Sequence, residues 1–132
     1  MSTEAAIKDI LEDYLRTEEA FSDLSRERDE ALKEYQRCLR ENFPQNNTYE
    51  LDAAAEIIGA YNAFRESERK IQENSLRANE LSVQIKEYLR ALNGANLHLH
   101  FAFDSLDHRA GDHVFYLEDE KLKVRHSPVS IL

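Results

Sequence analysis

The chain has 132 residues, with 17 basic against 26 acidic side chains, a net charge of −9 and a mean hydropathy of −0.67. The length fits one domain, and the acidic balance excludes a surface built to coat nucleic acid or anionic lipid, whose phosphates require a net basic face. A single cysteine, Cys38, excludes an internal disulfide framework and any CxxC motif, and three glycines and two prolines exclude collagen-like, loop-rich and disordered chains.

Residues 3–42 read as one long helix without glycine or proline, capped by Ser2 or Thr3, with Glu4 in the first turn where the dipole favours negative charge. Asn42-Phe43-Pro44 ends it, because proline biases the preceding residue away from helical dihedrals. After a polar turn at residues 44–47, Asn47 and Glu50 have the spacing of a capping box. A second helix is expected over 48–92, stopped by Asn93-Gly94. So short a turn folds the helices back as an antiparallel hairpin.

Coiled-coil-like seams are expected along both helices. The first comprises Ile7, Leu11, Tyr14, Phe21, Leu32, Tyr35 and Leu39. The second comprises Ile57, Tyr61, Phe64, Ile71, Ala78, Ile85, Leu89 and Leu92. Arg28 interrupts the first seam and comes level with Phe64 and Glu68, with its stem packed and its head in water. Leu15 and Leu24 fall off the first seam. Leu51, Ile58, Leu76 and Val83 form a second apolar stripe on the second helix. A two-helix hairpin has one shared seam, so this stripe is expected to meet a partner helix.

From Gly94 the period changes to two. Leu97, Leu99, Phe101 and Phe103 alternate with His98, His100 and Ala102, a half-buried strand. Val114-Phe115-Tyr116-Leu117 reads as a second strand and Leu122 to Arg125 as a third, with a turn at 118–121 and a break at His126-Ser127-Pro128. The fold class is therefore mainly α, with an antiparallel helical hairpin over 1–93 and a small antiparallel sheet over 94–132, packed on the hairpin or on a partner subunit.

All five histidines lie in this last module. His98 and His100 share one strand face, a spacing that suits two imidazoles on a transition metal, with a loop ligand such as His108 or His113 completing the site. The apolar residues already fill the other face, so both histidines are expected outward as ordinary surface residues. Asp107-His108 and Asp112-His113 pair an acid with a base only as sequence neighbours. Cys38, flanked by Arg37 and Arg40, reads as a packing residue rather than a lowered-pKa thiol. No phosphate loop, GxSxG or HExxH motif is present.

The sequence thus points to a non-catalytic, cytoplasmic, oligomeric adaptor or assembly subunit. It is expected to bind proteins, including copies of itself, through Leu51, Ile58, Leu76, Val83, Phe101 and Phe103, without cofactor, metal, nucleic acid or membrane. The alternative is a metal-binding protein or metal-dependent enzyme built on the C-terminal histidines.

Overall fold

A computed structural model describes residues 2–101 and 111–128. The element order is α1 (Thr3–Glu41), α2 (Leu51–Ala91), β1 (Leu97–Phe101), β2 (Gly111–Glu118) and β3 (Lys121–Pro128). Two long helices pack together and a three-stranded antiparallel sheet follows, in the order β1-β2-β3. The chain divides into two compact units: Met1–Glu18 with Leu76–Leu132, and Glu19–Ser75. No helix among the described residues is long and apolar enough to cross a membrane.

The caps explain where the helices begin and end. Ser2 caps α1, its Oγ accepting from the Ala5 amide at 3.1 Å, and satisfies a donor that the first turn would leave open. At the far end, the Asn42 side-chain amide donates to the Cys38 carbonyl at 2.9 Å. α2 ends in a Schellman motif, in which the Gly94 amide donates to the Leu89 carbonyl and the Asn93 amide to that of Arg90. Asn93, at φ 59°, takes the left-handed position.

The expected capping box at Asn47 is not the start of α2. Asn46 and Asn47 have φ of 53° and 59°, and the Thr48 amide closes a turn onto the Gln45 carbonyl at 2.9 Å. Two consecutive positive φ values suit asparagine, which tolerates this region. The helix therefore begins later, at Leu51, with the Glu50 carbonyl accepting its first hydrogen bond from Ala54.

In the unit of residues 19–75, cross-helix pairs show the antiparallel register. Tyr35 meets Tyr61 with ring centroids 5.4 Å apart, Arg37 lies 3.5 Å from Glu56, and Lys70 lies 3.8 Å from Glu27. Phe21, expected in the seam, is 47% exposed. By that register the α2 residues level with it, around Asn74 and Ser75, are polar. Tyr61 and Leu92 are also more exposed than a continuous seam requires. Buried Ser67 satisfies its hydroxyl locally, donating to the Phe64 carbonyl at 2.6 Å.

The other unit holds the main core. Leu11 and Leu15 from α1, Ile85 and Leu89 from α2, Leu99 from β1 and Phe115 from β2 form one buried cluster. Ile7, Ile10, Tyr14, Leu97, Leu117, Leu122 and Val124 pack around it. Leu15, expected off the seam, is thus a core residue, and Leu81, absent from the expected seam, is buried too. The reason is geometric. Where the helices carry a sheet, a wider face of each is covered than a two-helix seam needs. Asp13 and Arg77 close the helix pair at 2.6 Å.

Strand register places Leu97, Leu99, His113, Phe115, Leu117, Leu122, Val124 and His126 on the face towards the helices. The expected break at His126-Ser127-Pro128 does not occur, because β3 continues to Pro128, paired with Gly111. β3 is an edge strand, where a proline lacking an amide donor is tolerated. The β2–β3 turn is a two-residue hairpin with Asp119 at φ 53° and Glu120 at φ 64°, the conformation that favours Asn-Gly or Asp-Gly.

Two stability predictions follow from this packing. Phe115→Ala removes a fully buried ring from the core and is expected to cost about 3–5 kcal/mol, more than Phe64→Ala at its half-buried site; equal urea midpoints would contradict the placement of the core. Glu120→Gly relieves a left-handed non-glycine residue, worth about 1–2 kcal/mol, and loses only an exposed 3.3 Å pair with Arg90, worth about 0–1 kcal/mol. A higher melting temperature is expected.

Candidate functional site

All four residues of the second stripe are exposed: Leu51 by 87%, Ile58 by 58%, Leu76 by 59% and Val83 by 58%. They lie on one helix, α2. Seven residues advance a helix by two turns less about 20°, so Leu51 and Ile58 share one side of the helix in the unit of residues 19–75, and Leu76 and Val83 share one side in the other unit. Ser67, buried, stands nine residues, about two and a half turns, from Ile58, and Ile85, fully buried, nine from Leu76, so in each unit the exposed pair faces away from the buried side of the helix.

Between Ile58 and Leu76 the stripe is polar. Arg65 donates to Glu68 at 3.0 Å, and Arg69 is hydrogen-bonded to Glu66 and Glu73. The Arg69 guanidinium holds the Glu66 carboxyl below its usual range. These are i,i+3 and i,i+4 pairs along one helix, exposed and weak individually. Arg28, expected with its head in water, lies 3.4 Å from Asp29, and Glu68 is paired with Arg65.

The sheet carries a second polar arrangement on its outer face. His98 and His100 point outward, as the alternation predicts. Asp112, directly opposite His100 on β2, stands between them. His98 Nε2 lies 2.9 Å and His100 Nδ1 3.0 Å from its Oδ1. An ionised carboxylate only accepts, so each imidazole donates from that nitrogen. The hydrogen bonds from His100 and His98 hold the Asp112 carboxyl below its usual range. Both rings converge on one carboxylate oxygen, and no group of three or more His, Cys, Asp or Glu among the described residues is disposed to hold a metal ion. On the same face, the Arg125 guanidinium lies over the Tyr116 ring at 5.6 Å.

His113, expected in a loop near His98 and His100, is instead on β2 and faces the opposite way. It is fully buried and stacked on His126 at 4.3 Å with the rings 8° from parallel. Carrying the alternation of Val114 to Leu117 back by one residue would have placed it in phase with Phe115. His108, the other expected loop ligand, and Phe103 lie outside the described residues, as does the side chain of Phe101.

Cys38 is buried, with its thiol 3.5 Å from Glu56 Oε1. Burial pushes that thiol up, and Glu56 adds to the effect against the opposing Arg37. It has the setting of an inert packing residue. One concavity that the sequence did not suggest, of about 480 Å³, lies between the first turns of α1 and β1, lined by Ile7, Leu11, Leu97 and Leu99 and by the polar Glu4, Lys8, His98 and His100.

No family model, curated protein or solved structure matches the chain. A functional reading therefore rests on the geometry of these surfaces.

The Asp112 cluster makes a pH prediction. A carboxyl whose folded pKa lies below its unfolded value adds stability above the unfolded value, about 3.9 for Asp, and loses that contribution as pH falls through the folded one. Asp112→Asn is expected to lower the urea midpoint at neutral pH, with the gap from wild type closing as the pH falls below about 3.9. A gap constant with pH would show that the carboxylate charge is not what His98 and His100 hold.

Proposed function

We propose that the protein is a non-catalytic assembly subunit that associates with other protein chains, its own copies included, through the outer face of α2. The observation that supports this most directly is the exposure of four aliphatic residues of α2, Leu51, Ile58, Leu76 and Val83. Single exposed leucines are ordinary on protein surfaces. Two exposed aliphatic pairs at heptad spacing, Leu51 with Ile58 and Leu76 with Val83, have the pattern of helix-packing seams.

The hydrogen-bonded Glu and Arg residues between the apolar pairs fit an interface that also exists in solvent, since a subunit must remain soluble before assembly. The acidic surface of the first 50 residues, with net charge −6, keeps the protein off nucleic acid and anionic lipid. The outer sheet face, with His98, His100 and Asp112 already joined to one another, fits a structural role in this reading.

Light scattering is expected to give a mass of at least twice 15.4 kDa at concentrations on the order of tens of micromolar, an ordinary range for such contacts. Ile58→Glu or Leu76→Glu should weaken association about 100-fold or more, because each substitution removes an aliphatic contact worth about 1.5–3 kcal/mol twice in a symmetric dimer. Helical circular dichroism should not change, since both side chains are exposed in the folded chain. A monomeric wild type would overturn this reading.

A further inference from the structure

The turn from α1 to α2 lies wholly inside the unit of residues 19–75, and it holds apolar side chains out of the fold. Phe43, 84% exposed, and Leu51, 87% exposed, are the two most exposed large apolar residues described, and Tyr49 between them in sequence is exposed as well. The segment is pinned. Gln45 and Thr48 form an antiparallel bridge, in which the Thr48 amide donates to the Gln45 carbonyl at 2.9 Å and its hydroxyl to the Asn46 carbonyl at 3.2 Å. Phe43 and Tyr49 thus stand on the two arms of one closed turn. Both arms line a concavity of about 360 Å³, in which Phe43, Pro44, Tyr49 and Ala53 stand with two charged residues, Glu41 and Glu50.

We propose that this turn docks a basic amphipathic segment of a partner protein, one that carries Lys or Arg beside an apolar side chain. Charge chooses the occupant. From Glu41 to Phe64 the sequence has four acidic residues, Glu41, Glu50, Asp52 and Glu56, and no basic one. Arg37 on α1 is hydrogen-bonded to Glu34 and Glu41 and lies 3.5 Å from Glu56, three carboxylates for one guanidinium. With Arg40 counted as well, residues 34–56 carry a net charge of −3. Such a surface repels nucleic acid and an anionic bilayer. It also repels a second copy, which presents the same acids and a net charge of −9.

A neutral bilayer is a poor occupant for a different reason. It would draw carboxylates out of water together with Phe43 and offer no cation to offset their desolvation. A partner's Lys or Arg supplies that cation. Its aliphatic stem can lie on the Phe43 and Tyr49 rings while its head meets the carboxylates that line the same concavity. The closed turn fixes both arms beforehand, so docking orders little further chain. This inference goes beyond the assembly reading above, because Phe43 and Tyr49 lie outside α2; Leu51, the first residue of that helix, is common to both surfaces.

The test titrates the full chain against four probes: a fluorescent amphipathic peptide of Leu and Lys, its Leu/Glu counterpart, and phosphatidylcholine vesicles with and without phosphatidylserine. The Leu/Lys peptide is expected to bind, with an affinity that falls as salt is raised, and the other three are not. Phe43→Ser should weaken that binding about tenfold or more, and Glu50→Gln/Asp52→Asn likewise. Helical circular dichroism should not change, since all three side chains are exposed. Phe21→Ser removes another exposed aromatic from an acidic stretch, beside Glu18, Glu19 and Asp23, and should bind as wild type does. A benzophenone carried by the peptide should cross-link within residues 41–53. Binding that Phe43→Ser leaves intact, or cross-links confined to the rest of α1, would mean general attraction to an acidic chain and would sink the proposal. Binding of the vesicles or of the Leu/Glu peptide in place of the Leu/Lys peptide would overturn it as well. A wild-type dimer that does not bind the Leu/Lys peptide would remove this inference and leave the assembly reading standing. A monomer that binds it at the turn would do the reverse.

Discussion

The structure depends on covering one side of a three-stranded sheet. A sheet with one apolar face must bury that face against another element. Here Leu99 and Phe115 are buried against Leu11, Leu15, Ile85 and Leu89, and Tyr14 meets the Phe115 ring edge-on at 6.3 Å. Residues near the two ends of the sequence thus share one core, and the compact unit that contains them joins the start of α1 to the end of α2. The same contact settles which strand face is inside. His113 is buried and His126 half-buried on the core side, while His98 and His100 remain outside with Asp112.

That contact also explains what could be read in the sequence. The helices, the sheet and its antiparallel order follow from local signals: a cap at Ser2, a left-handed stop at Asn93, and a shift in apolar period from near 3.6 to 2. The exposure of Leu51, Ile58, Leu76 and Val83 followed from counting seams. The errors arise where a non-local partner changes the answer. Counting two helices alone places Leu15 off the seam, and the sheet provides the third surface that buries it. Asn47 has cap spacing, but its positive φ is set by the turn closed between Gln45 and Thr48. His113 looked like a loop residue because Asp112 and Gly111 precede it. The ladder to β1 extends the strand through all three.

The two histidine pairs differ in chemistry because they differ in dielectric surroundings. On the outer face, Asp112 and two imidazoles form a charge-assisted cluster among exposed side chains, where water screens the pair and its contribution is modest. On the inner face, His113 and His126 stack nearly parallel. Histidine placement in this module therefore follows strand parity, and proximity in sequence misleads about proximity in space.

Charge distribution bears on which helix face can serve for self-association. The first 50 residues carry a net −6 and residues 51–93 only −1. Two copies meeting through α1 would bring their most acidic surfaces together, at separations below the Debye length of about 8 Å in physiological salt. Meeting through α2 would bring near-neutral segments together instead. Repulsion between acidic surfaces thus favours the same face that the aliphatic stripe marks. The arginines in the middle of that stripe weaken the apolar seam locally, and their Glu partners keep its charge balanced. A seam apolar throughout would tolerate several registers of the same two helices.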